Sequence, residues 1–264
     1  MNSQVKEKKI FYSHELTNED YHKDTAIGSS GLKSFKECPA IYYDSYLSEN
    51  RDLSDGNKAM RMGSFAHIRL LEPDRFKKEY AVSPEFAIVN KGKSNEAMKP
   101  MSGNHGDWTT FKDECAQTGK TPILYSEYSQ VTAMAEVIRN NPLASKMLMN
   151  GVEEMSFFAE DPDTGLMMKS RPDYLVKLPD YGVCLIDYKT TAISMTTSKQ
   201  SNHAFGLGRH IQAAHHKTVA ELATGGQIDH VVYITQMVKR PYLLRFFRMP
   251  PHSIQRGMDE RRRY

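Results

Sequence analysis

The sequence contains little cysteine, a single tryptophan and no long apolar run. Its three cysteines, Cys38, Cys115 and Cys184, are far apart and form no CxxC pair, so neither a disulfide framework nor a structural zinc site is indicated. No stretch approaches the roughly 18 apolar residues of a membrane helix, and residues 1–10 lack the apolar core of a signal peptide. We therefore expect a cytoplasmic protein that is neither exported nor membrane-spanning.

Neither sign of charge is in large excess. The 35 Lys and Arg residues outnumber the 32 Asp and Glu residues by three, so the overall charge neither requires nor excludes a polyanionic partner. Any face that binds nucleic acid must therefore be local. A chain of 264 residues, 39% of them hydrophobic, can bury one large core. We expect a polar N-terminal arm, residues 1–28, followed by a single domain, residues 29–264.

Hydrophobic periodicity predicts helices that cover a sheet. Apolar residues recur at helical spacing after Gly28, from Met60 to Glu72, and within residues 127–149, whereas residues 83–108 show no period and are typical of a long loop. The second half of the chain alternates extended and helical patterns. The predicted segments are an antiparallel meander of strands at 154–160, 167–178 and 183–188, a helix at 203–224, strands at 229–238 and 242–248, and a basic tail.

The meander contains a group of residues with the chemistry of a metal site. Asp187 and Lys189 are two positions apart, so on an extended chain both side chains leave the same face. Asp173 lies fourteen positions earlier, about the separation that one hairpin needs to bring the chain back beside Asp187. Two carboxylates and one ammonium group are therefore expected to converge.

Such a group suits phosphodiester hydrolysis. Mg²⁺ prefers hard oxygen ligands, commonly one or two carboxylates with a substrate phosphate supplying others. The metal polarises the phosphoryl oxygen and lowers the pKa of bound water, while Lys189 would orient or deprotonate that water or offset charge in the transition state. A D-x-K triplet alone is common on solvated strand edges. Here it follows the apolar run Val183–Ile186, pairs with an acidic hairpin partner and precedes Gln212 in a helix.

Pro172-Asp173 and Asp187-Tyr188-Lys189 resemble the motif of the PD-(D/E)XK nuclease superfamily, and the chain is similar in particular to the RecE-type exonucleases (exodeoxyribonuclease VIII) of phage and prophage recombination. An ordered series of segments carries this closer resemblance. The segments are Ser29-Ser30-Gly31-Leu32-Lys33, Cys38-Pro39-Ala40, Gly63-Ser64-Phe65-Ala66-His67, Leu71-Glu72-Pro73, Glu154-Met155-Ser156, Thr164-Gly165, Lys169-Ser170-Arg171-Pro172-Asp173, Asp187-Tyr188-Lys189-Thr190-Thr191 and His210-Ile211-Gln212-Ala213-Ala214.

The resemblance implies an α/β restriction-endonuclease-like core, with a central mixed β-sheet flanked by helices. It adds His67 and Glu154 to Asp173 and Asp187 as metal ligands, with Glu154 preferred over Glu153 on the first strand of the meander. It also implies that Glu154 and Gln212 act in catalysis with Asp173, Asp187 and Lys189.

This sequence departs from the family pattern in two places. His216 stands where relatives have a tyrosine one turn after the glutamine, which leaves the role of that residue open. Residues 249–264 leave little room for the further terminal helix that relatives carry. This second departure bears on assembly more than on chemistry.

Phosphate contacts dominate affinity for DNA, and lysine, arginine and helix N-termini supply them. We expect weak DNA-binding contributions from cations near the start of the chain and around His67. These cations are Lys33, Lys36, Arg61 and Arg69, with Lys91, Lys93 and Lys99 in the long loop as further candidates. Trp108 and Phe86 could stack on a DNA end, although burial of each in the core is the commoner arrangement. The basic tail either contacts DNA or a partner, or is a disordered end.

The resemblance further implies a Mg²⁺-dependent exonuclease, with Mn²⁺ able to substitute, that digests linear double-stranded DNA ends from 5′ to 3′ and leaves 3′ overhangs for annealing-type homologous recombination. Implied partners are a single-strand annealing protein and identical subunits in a ring-shaped trimer or tetramer, in the cytoplasm of a bacterial or phage-infected bacterial cell. Two alternatives remain: a related nuclease with endonucleolytic activity, and a DNA-binding accessory protein that does not cut. Iron–sulfur relatives require four cysteines, and this chain has three.

Overall fold

The computed structural model describes residues 11–49 and 58–264. In this part of the chain the helices are α1 (Asn18–Lys23), α2 (Ser29–Glu37), α3 (Pro39–Tyr42), α4 (Lys58–Leu71), α5 (Pro73–Glu79), α6 (Gly106–Thr118), α7 (Tyr125–Asn140), α8 (Pro142–Met147), α9 (Thr197–Gly206), α10 (Arg209–Thr224) and α11 (Pro251–Arg263), with a π-helical turn at Tyr43–Leu47. The strands are β1 (Phe11–Ser13), β2 (Tyr80–Val82), β3 (Phe86–Val89), β4 (Ala97–Pro100), β5 (Thr121–Ile123), β6 (Val152–Glu153), β7 (Ser156–Glu160), β8 (Met167–Ser170), β9 (Tyr174–Leu178), β10 (Gly182–Thr191), β11 (His230–Met237) and β12 (Leu244–Arg248).

These elements form two compact units, one containing residues 1–54 and 143–264 and the other residues 55–142. The division into a polar arm and a single domain stays a prediction. Residues 11–28 of that arm include β1, which pairs antiparallel with β7, and α1; residues 1–10 lie outside the described part. The stacked rings of Phe11 and Phe158, 4.6 Å apart, give this pairing an apolar contact that the polar composition of the arm does not reveal.

The first unit is built around a five-stranded mixed sheet. Its strand order is β12-β11-β10-β9-β6, with β10 and β11 parallel and the other pairs antiparallel. The run Val183–Ile186 lies in β10 near the middle of this sheet, and Leu185 is fully buried. A central strand flanked on both sides favours such an uninterrupted apolar run. Helix α10 packs in the same core through the buried Ala213, Val219 and Ala220.

The predicted meander is wrong in its connectivity. The segment 167–178 is two strands: β8 joins β7 and β1 in a three-stranded sheet, and β9 joins the five-stranded sheet. The chain passes from the three-stranded sheet to the five-stranded sheet at Arg171-Pro172-Asp173, between β8 and β9. Pro172 has no N–H group to donate to a strand partner, so a continuous strand is disfavoured there.

The C-terminal half differs from prediction in two further ways. The helix predicted over 203–224 is two helices, separated at Leu207-Gly208, where Gly208 has a φ of +64°. The residues predicted to form a basic tail form the helix α11, which begins at Pro251 and packs against α10. Proline fits the first turn of a helix because its missing N–H group has no intrahelical partner there.

Helix α11 is held partly by a buried carboxylate. Glu260 accepts hydrogen bonds from Lys36 of α2 at 2.5 Å and from Arg256 at 3.0 Å, and His210 Nε2 lies 3.3 Å away. Burial alone would raise the pKa of Glu260, but these three partners outweigh it and hold the pKa at about 2. The carboxylate therefore stabilises the packing of three helices.

We expect Glu260→Gln to lower the free energy of unfolding by about 2 kcal/mol at pH 7, because hydrogen bonds to a charged group are lost. The folded pKa lies below the ordinary value of 4.5, so this stabilisation is present above pH 4.5 and is lost as the pH falls towards 2. Urea unfolding at pH 7 and pH 3 measures the difference, which should shrink at pH 3. The matched control is Asp259→Asn on the exposed face of α11; an equal loss there would contradict the prediction.

The second unit contains α4 to α7 and two small sheets. Helices α4 and α7 pack together through Phe65, Ala66, Val131 and Met134, which are all buried. Residues 83–108, predicted as a loop, contain the antiparallel hairpin of β3 and β4 and the start of α6. Short strands separated by Lys, Gly and Asn carry too little period for pattern analysis to detect.

The aromatic side chains named as possible DNA contacts have different surroundings. Trp108 is buried with Ala87 and Met101, whereas Phe86 is 45% exposed on the hairpin. Among the described residues, no helix is both long and apolar enough to cross a membrane.

Candidate active site

The sheet brings Asp173 beside Asp187. Asp187 and Lys189 lie in the second half of β10, two residues apart and thus on one face. Asp173 comes one residue before β9, whose terminal residue Tyr174 pairs with Ile186 of β10. Antiparallel pairing therefore carries Asp173 to the strand position next to Asp187.

Lys189 bridges the two carboxylates. Its ammonium group donates to Asp187 Oδ1 in a short hydrogen bond and to Asp173 Oδ2 at 3.3 Å. The same Asp173 oxygen accepts the Tyr188 N–H at 2.6 Å. The Asp187 side chain is 2% exposed, Asp173 13% and Lys189 25%. Asp187 is thus the buried end of this group of three side chains, and Lys189 is the end most accessible to solvent.

Burial and neighbouring charges shift the pKa values of Asp187 and Lys189 in this group. Burial raises the pKa of Asp187; Lys189 opposes that shift, and the charge of Asp173 adds to it. For Lys189, burial would lower the pKa, but the two carboxylates outweigh burial and raise it. In the described part of the structure, the buried Oδ2 of Asp187 has no hydrogen-bond partner. Asp173 and Asp187, called the acidic pair below, carry two negative charges, and the single ammonium group of Lys189 offsets only one of them.

Glu154 is placed by an unusual backbone conformation. It lies between β6 and β7 with a φ of +51°, and its N–H donates to the Asp173 carbonyl at 3.2 Å. A carboxylate oxygen of Glu154 lies within 4.8 Å of one from Asp173. The expected strand position, with Glu153 and Glu154 alternating between faces, is therefore wrong. A positive φ in a residue other than glycine costs free energy and is often found at functional sites.

Helix α10 supports the site from behind Asp187. His216 Nδ1 lies 2.6 Å from Ser170 Oγ, and His216 Nε2 lies 3.8 Å from Asp187 Oδ2. Burial lowers the pKa of His216 to about 3, so its ring is neutral at pH 7. Gln212 is half-buried one turn earlier on the same face of α10. His216, whose role the sequence leaves open, thus contacts a residue of the acidic pair.

His67 belongs to the second unit, where it lies half-buried on α4. Its assignment as a metal ligand stays a prediction.

Of the four candidate DNA-binding cations near the start of the chain and around His67, three also form contacts with protein groups. These are Lys36 with Glu260 at 2.5 Å, Arg61 with Glu127 at 2.8 Å, and Arg69 with Thr132 Oγ1 at 3.2 Å. Lys33 differs from them because its pKa is lowered by burial and by Arg209, and is affected by Asp187 and Lys189. Lys33 is therefore near the acidic pair.

Sequence analysis missed Arg209 and Ser170 as neighbours of the site. Arg209 begins α10 and affects the pKa of Lys189, and Ser170 contacts His216 at the end of β8. Neither residue has a motif spacing relative to Asp187, since contacts across different elements bring them together. The sequence signal is their position: Ser170 lies within one of the segments that carry the family resemblance, and Arg209 directly precedes another.

Comparisons with known proteins agree with this fold. Residues 28–262 match a family described as "PDDEXK-like domain of unknown function (DUF3799)". The crystal structure of a "Putative exonuclease" from Eubacterium rectale superposes with a TM-score of 0.58 at 15% sequence identity, covering 94% of this chain and 82% of that one.

A crystal structure of a protein named SSO0001 aligns over 59% of this chain and 67% of its own, with 12% identity and a TM-score of only 0.31. A search of curated proteins finds no match to this sequence. The predicted α/β PD-(D/E)XK core, a mixed sheet flanked by helices, is confirmed. Because the family match spans nearly the whole chain, this protein belongs to the PDDEXK-like family DUF3799.

Proposed function

We propose that this protein is a divalent-metal-dependent nuclease that hydrolyses DNA. The observation that carries the proposal is the convergence of the Asp173 and Asp187 carboxylates on the Lys189 ammonium at one edge of a buried strand. The hydrophobic strand β10 carries Asp187 and Lys189 beside Asp173. Packing gives no reason to bury these charges, because each buried charge costs free energy. A site for catalysis at a phosphodiester accounts for that cost.

The donor set fits a hard cation such as Mg²⁺. Asp173, Asp187 and Glu154 offer carboxylate oxygens, and Asp187 Oδ2 is buried without a hydrogen-bond partner among the described residues. A cation at this oxygen would offset the burial that raises the pKa of Asp187. We expect Mg²⁺ as the working ion and Mn²⁺ as a substitute.

A bound cation would supply Lewis-acid activation of the phosphoryl oxygen and of water. Lys189, held protonated by the two carboxylates, donates a hydrogen bond to a phosphate oxygen and offsets charge as the bond to the leaving oxygen breaks. The neutral His216 ring packs behind Asp187, with Nε2 3.8 Å from Oδ2, and limits the space into which that side chain can move. Gln212 orients the attacking water, and His67 is a further metal ligand; both roles rest on the sequence resemblance.

The finer proposal is an exonuclease of the RecE type that acts on linear double-stranded DNA from 5′ to 3′ and leaves 3′ overhangs for recombination by annealing. Its support is the ordered series of motifs, together with the Eubacterium rectale structure, which is described as a "Putative exonuclease". The same resemblance supports a ring of three or four identical subunits, an annealing protein as partner, and a cytoplasmic location in a bacterial or phage-infected bacterial cell. A ring around DNA would favour repeated cleavage because the substrate stays at high effective concentration.

One assay tests substrate and polarity together. With Mg²⁺, the protein is expected to degrade linear duplex DNA, to spare closed circular DNA, and to release a 5′ label before a 3′ label. Gel analysis of circular and end-labelled linear duplexes over time measures all three. Loss of all cleavage on addition of EDTA is the control for metal dependence. Equal cutting of closed circles would contradict the exonuclease, and no cutting of any DNA would contradict the nuclease.

A further inference from the structure

Two cations beside the acidic pair have a different environment from the other cations nearby. Lys33 lies on α2 and Arg209 is the first residue of α10. Burial is the largest cause that lowers the pKa of Lys33; Arg209 and Lys189 lower it further, and Asp187 opposes them. Lys33, Arg209 and Lys189 therefore form a group of three neighbouring positive charges at the edge of the site.

The positions of Lys33 and Arg209 are set by packing. A Cβ atom added at Gly208 would lie 2.9 Å from Lys33 Cδ, so the lysine stem crosses closely over the residue before α10. Tyr233 is fully buried, pairs with Asp187 in the parallel register of β10 and β11, and donates its hydroxyl to the Arg209 carbonyl at 3.0 Å. The Arg209 guanidinium lies 5.5 Å from the centre of the Tyr233 ring. Arg209 is thus held against β11, the strand that pairs with β10 at Asp187, and Lys33 is held against the residue before Arg209.

In the described part of the chain, neither Lys33 nor Arg209 forms a direct ion pair, unlike other cations nearby, although Asp187 acts on Lys33 at a distance. Nearby, Lys36 pairs with Glu260, and Arg261 pairs with Asp161 at 2.7 Å. Within residues 11–49 and 58–264, no carboxylate or carbonyl oxygen accepts a hydrogen bond from the side chain of Lys33 or Arg209. The positive charges of Lys33, Arg209 and Lys189 repel one another, and Asp187 offsets only part of that repulsion at Lys33. A bound anion would reduce it further.

We propose that Lys33 and Arg209 together bind a phosphate of the nucleic-acid substrate, adjacent to the phosphate held at Lys189. This inference rests on the proposed function, since it assigns the second phosphate to the same DNA strand. Lysine and arginine are the usual partners of phosphate, and arginine can donate two parallel hydrogen bonds to it. The N–H groups at the start of α10 add partial positive charge beside Arg209, because Gly208 has no side chain that could cap them. The phosphate is either an internal phosphodiester or the terminal monoester of a 5′ end.

The test is the equilibrium affinity of the protein for short DNA duplexes, measured by fluorescence anisotropy. Ca²⁺ replaces Mg²⁺ in this assay so that cleavage is suppressed. Lys33→Gln and Arg209→Gln are each expected to weaken binding about tenfold at low salt, and each should reduce the slope of log affinity against log salt by about one. Lys33→Arg keeps the charge and should retain most of the affinity. The matched control is Lys177→Gln, an exposed lysine on β9 of the same sheet.

Modified duplexes identify the phosphate. One duplex carries a neutral methylphosphonate at the contacted internal position, and another carries a 5′-hydroxyl in place of the 5′-phosphate. The modification that removes the contacted phosphate should weaken binding by the wild-type protein. It should have no further effect on binding by the Lys33→Gln/Arg209→Gln double variant. The internal modification points to a phosphodiester, and the terminal one to a monoester. Unchanged affinity and salt slope in both single variants, or an equal loss in Lys177→Gln, would overturn the proposal. Thermal unfolding of each variant excludes loss of the folded state.

The two proposals fail in different ways. If the protein cuts no DNA but the Lys33 and Arg209 variants lose affinity for DNA, the phosphate site is supported and the nuclease proposal is contradicted. If the protein cuts DNA but the Lys33 and Arg209 variants bind DNA like the wild type, the nuclease proposal is supported and the phosphate site is contradicted.

Discussion

Asp187→Asn is expected to lower the rate of DNA hydrolysis about a thousand-fold or more. A loss of this size is typical when a preorganised group that stabilises transition-state charge is removed. The substitution keeps the shape of the side chain but removes the charge and one potential ligand oxygen for a metal. Because burial raises the pKa of Asp187, the native carboxylate costs free energy to ionise. The fold of the variant should therefore be as stable as the wild type or more stable, while activity is lost. Measured rates with Mg²⁺ and melting temperatures in EDTA test both parts.

Lys189→Met should lose activity to a similar extent but with the opposite effect on stability. Without the ammonium group, the Asp173 and Asp187 carboxylates face each other with no positive charge between them. We expect a lower melting temperature that Mg²⁺ partly restores, because a metal would take over charge compensation. The control is Asp180→Asn in the exposed turn before β10, which should change neither quantity. Undiminished hydrolysis in Asp187→Asn or Lys189→Met would discard this active site.

Gly257→Ala is expected to destabilise the protein by about 2 to 4 kcal/mol, although alanine favours helices over glycine by about 1 kcal/mol. Gly257 lies inside α11, where an added Cβ would be 2.1 Å from the His210 carbonyl oxygen and 2.8 Å from Ala214 Cβ. The backbone atom cannot move aside as the end of a side chain could. Helices α10 and α11 would have to separate, and urea unfolding measures the cost.

Gly206→Ala provides the opposite case. Gly206 ends α9, and no atom lies within 4 Å of a Cβ added there, so this substitution should be neutral or slightly stabilising. A stabilised Gly257→Ala variant would show that α11 does not pack closely on α10. Because α10 carries Arg209, Gln212 and His216, the Gly257→Ala variant should also lose activity in proportion to the disturbance.

The positions of Asp173, Asp187 and Lys189 were predictable because they depend on short-range rules. Strand alternation puts Asp187 and Lys189 on one face, and the fourteen-residue interval suits a return of the chain. The return itself occurs through β9, whereas β8, which the meander placed in the same strand, belongs to another sheet. The pattern thus predicted the convergence correctly even though the predicted strand connectivity was wrong.

Glu154 shows where local rules fail. The motif predicts it as a site residue, but an extended strand does not describe its backbone, which has a φ of +51°. The hydrogen bond from its N–H to Asp173 holds that conformation. Propensity cannot predict such a conformation, because its cost is met by contacts with residues that are distant in sequence.

The sequence by itself determined the superfamily, the acidic pair with its lysine, and most helices of regular period, since all of these follow from motifs and from spacing along the chain. Only the tertiary structure decided that residues 251–263 form a helix against α10, that His216 lies behind Asp187, and that Lys33 and Arg209 adjoin the site. The reason is physical. Periodicity records which face of an element is apolar, but packing between elements selects which faces meet and which charges remain without a partner.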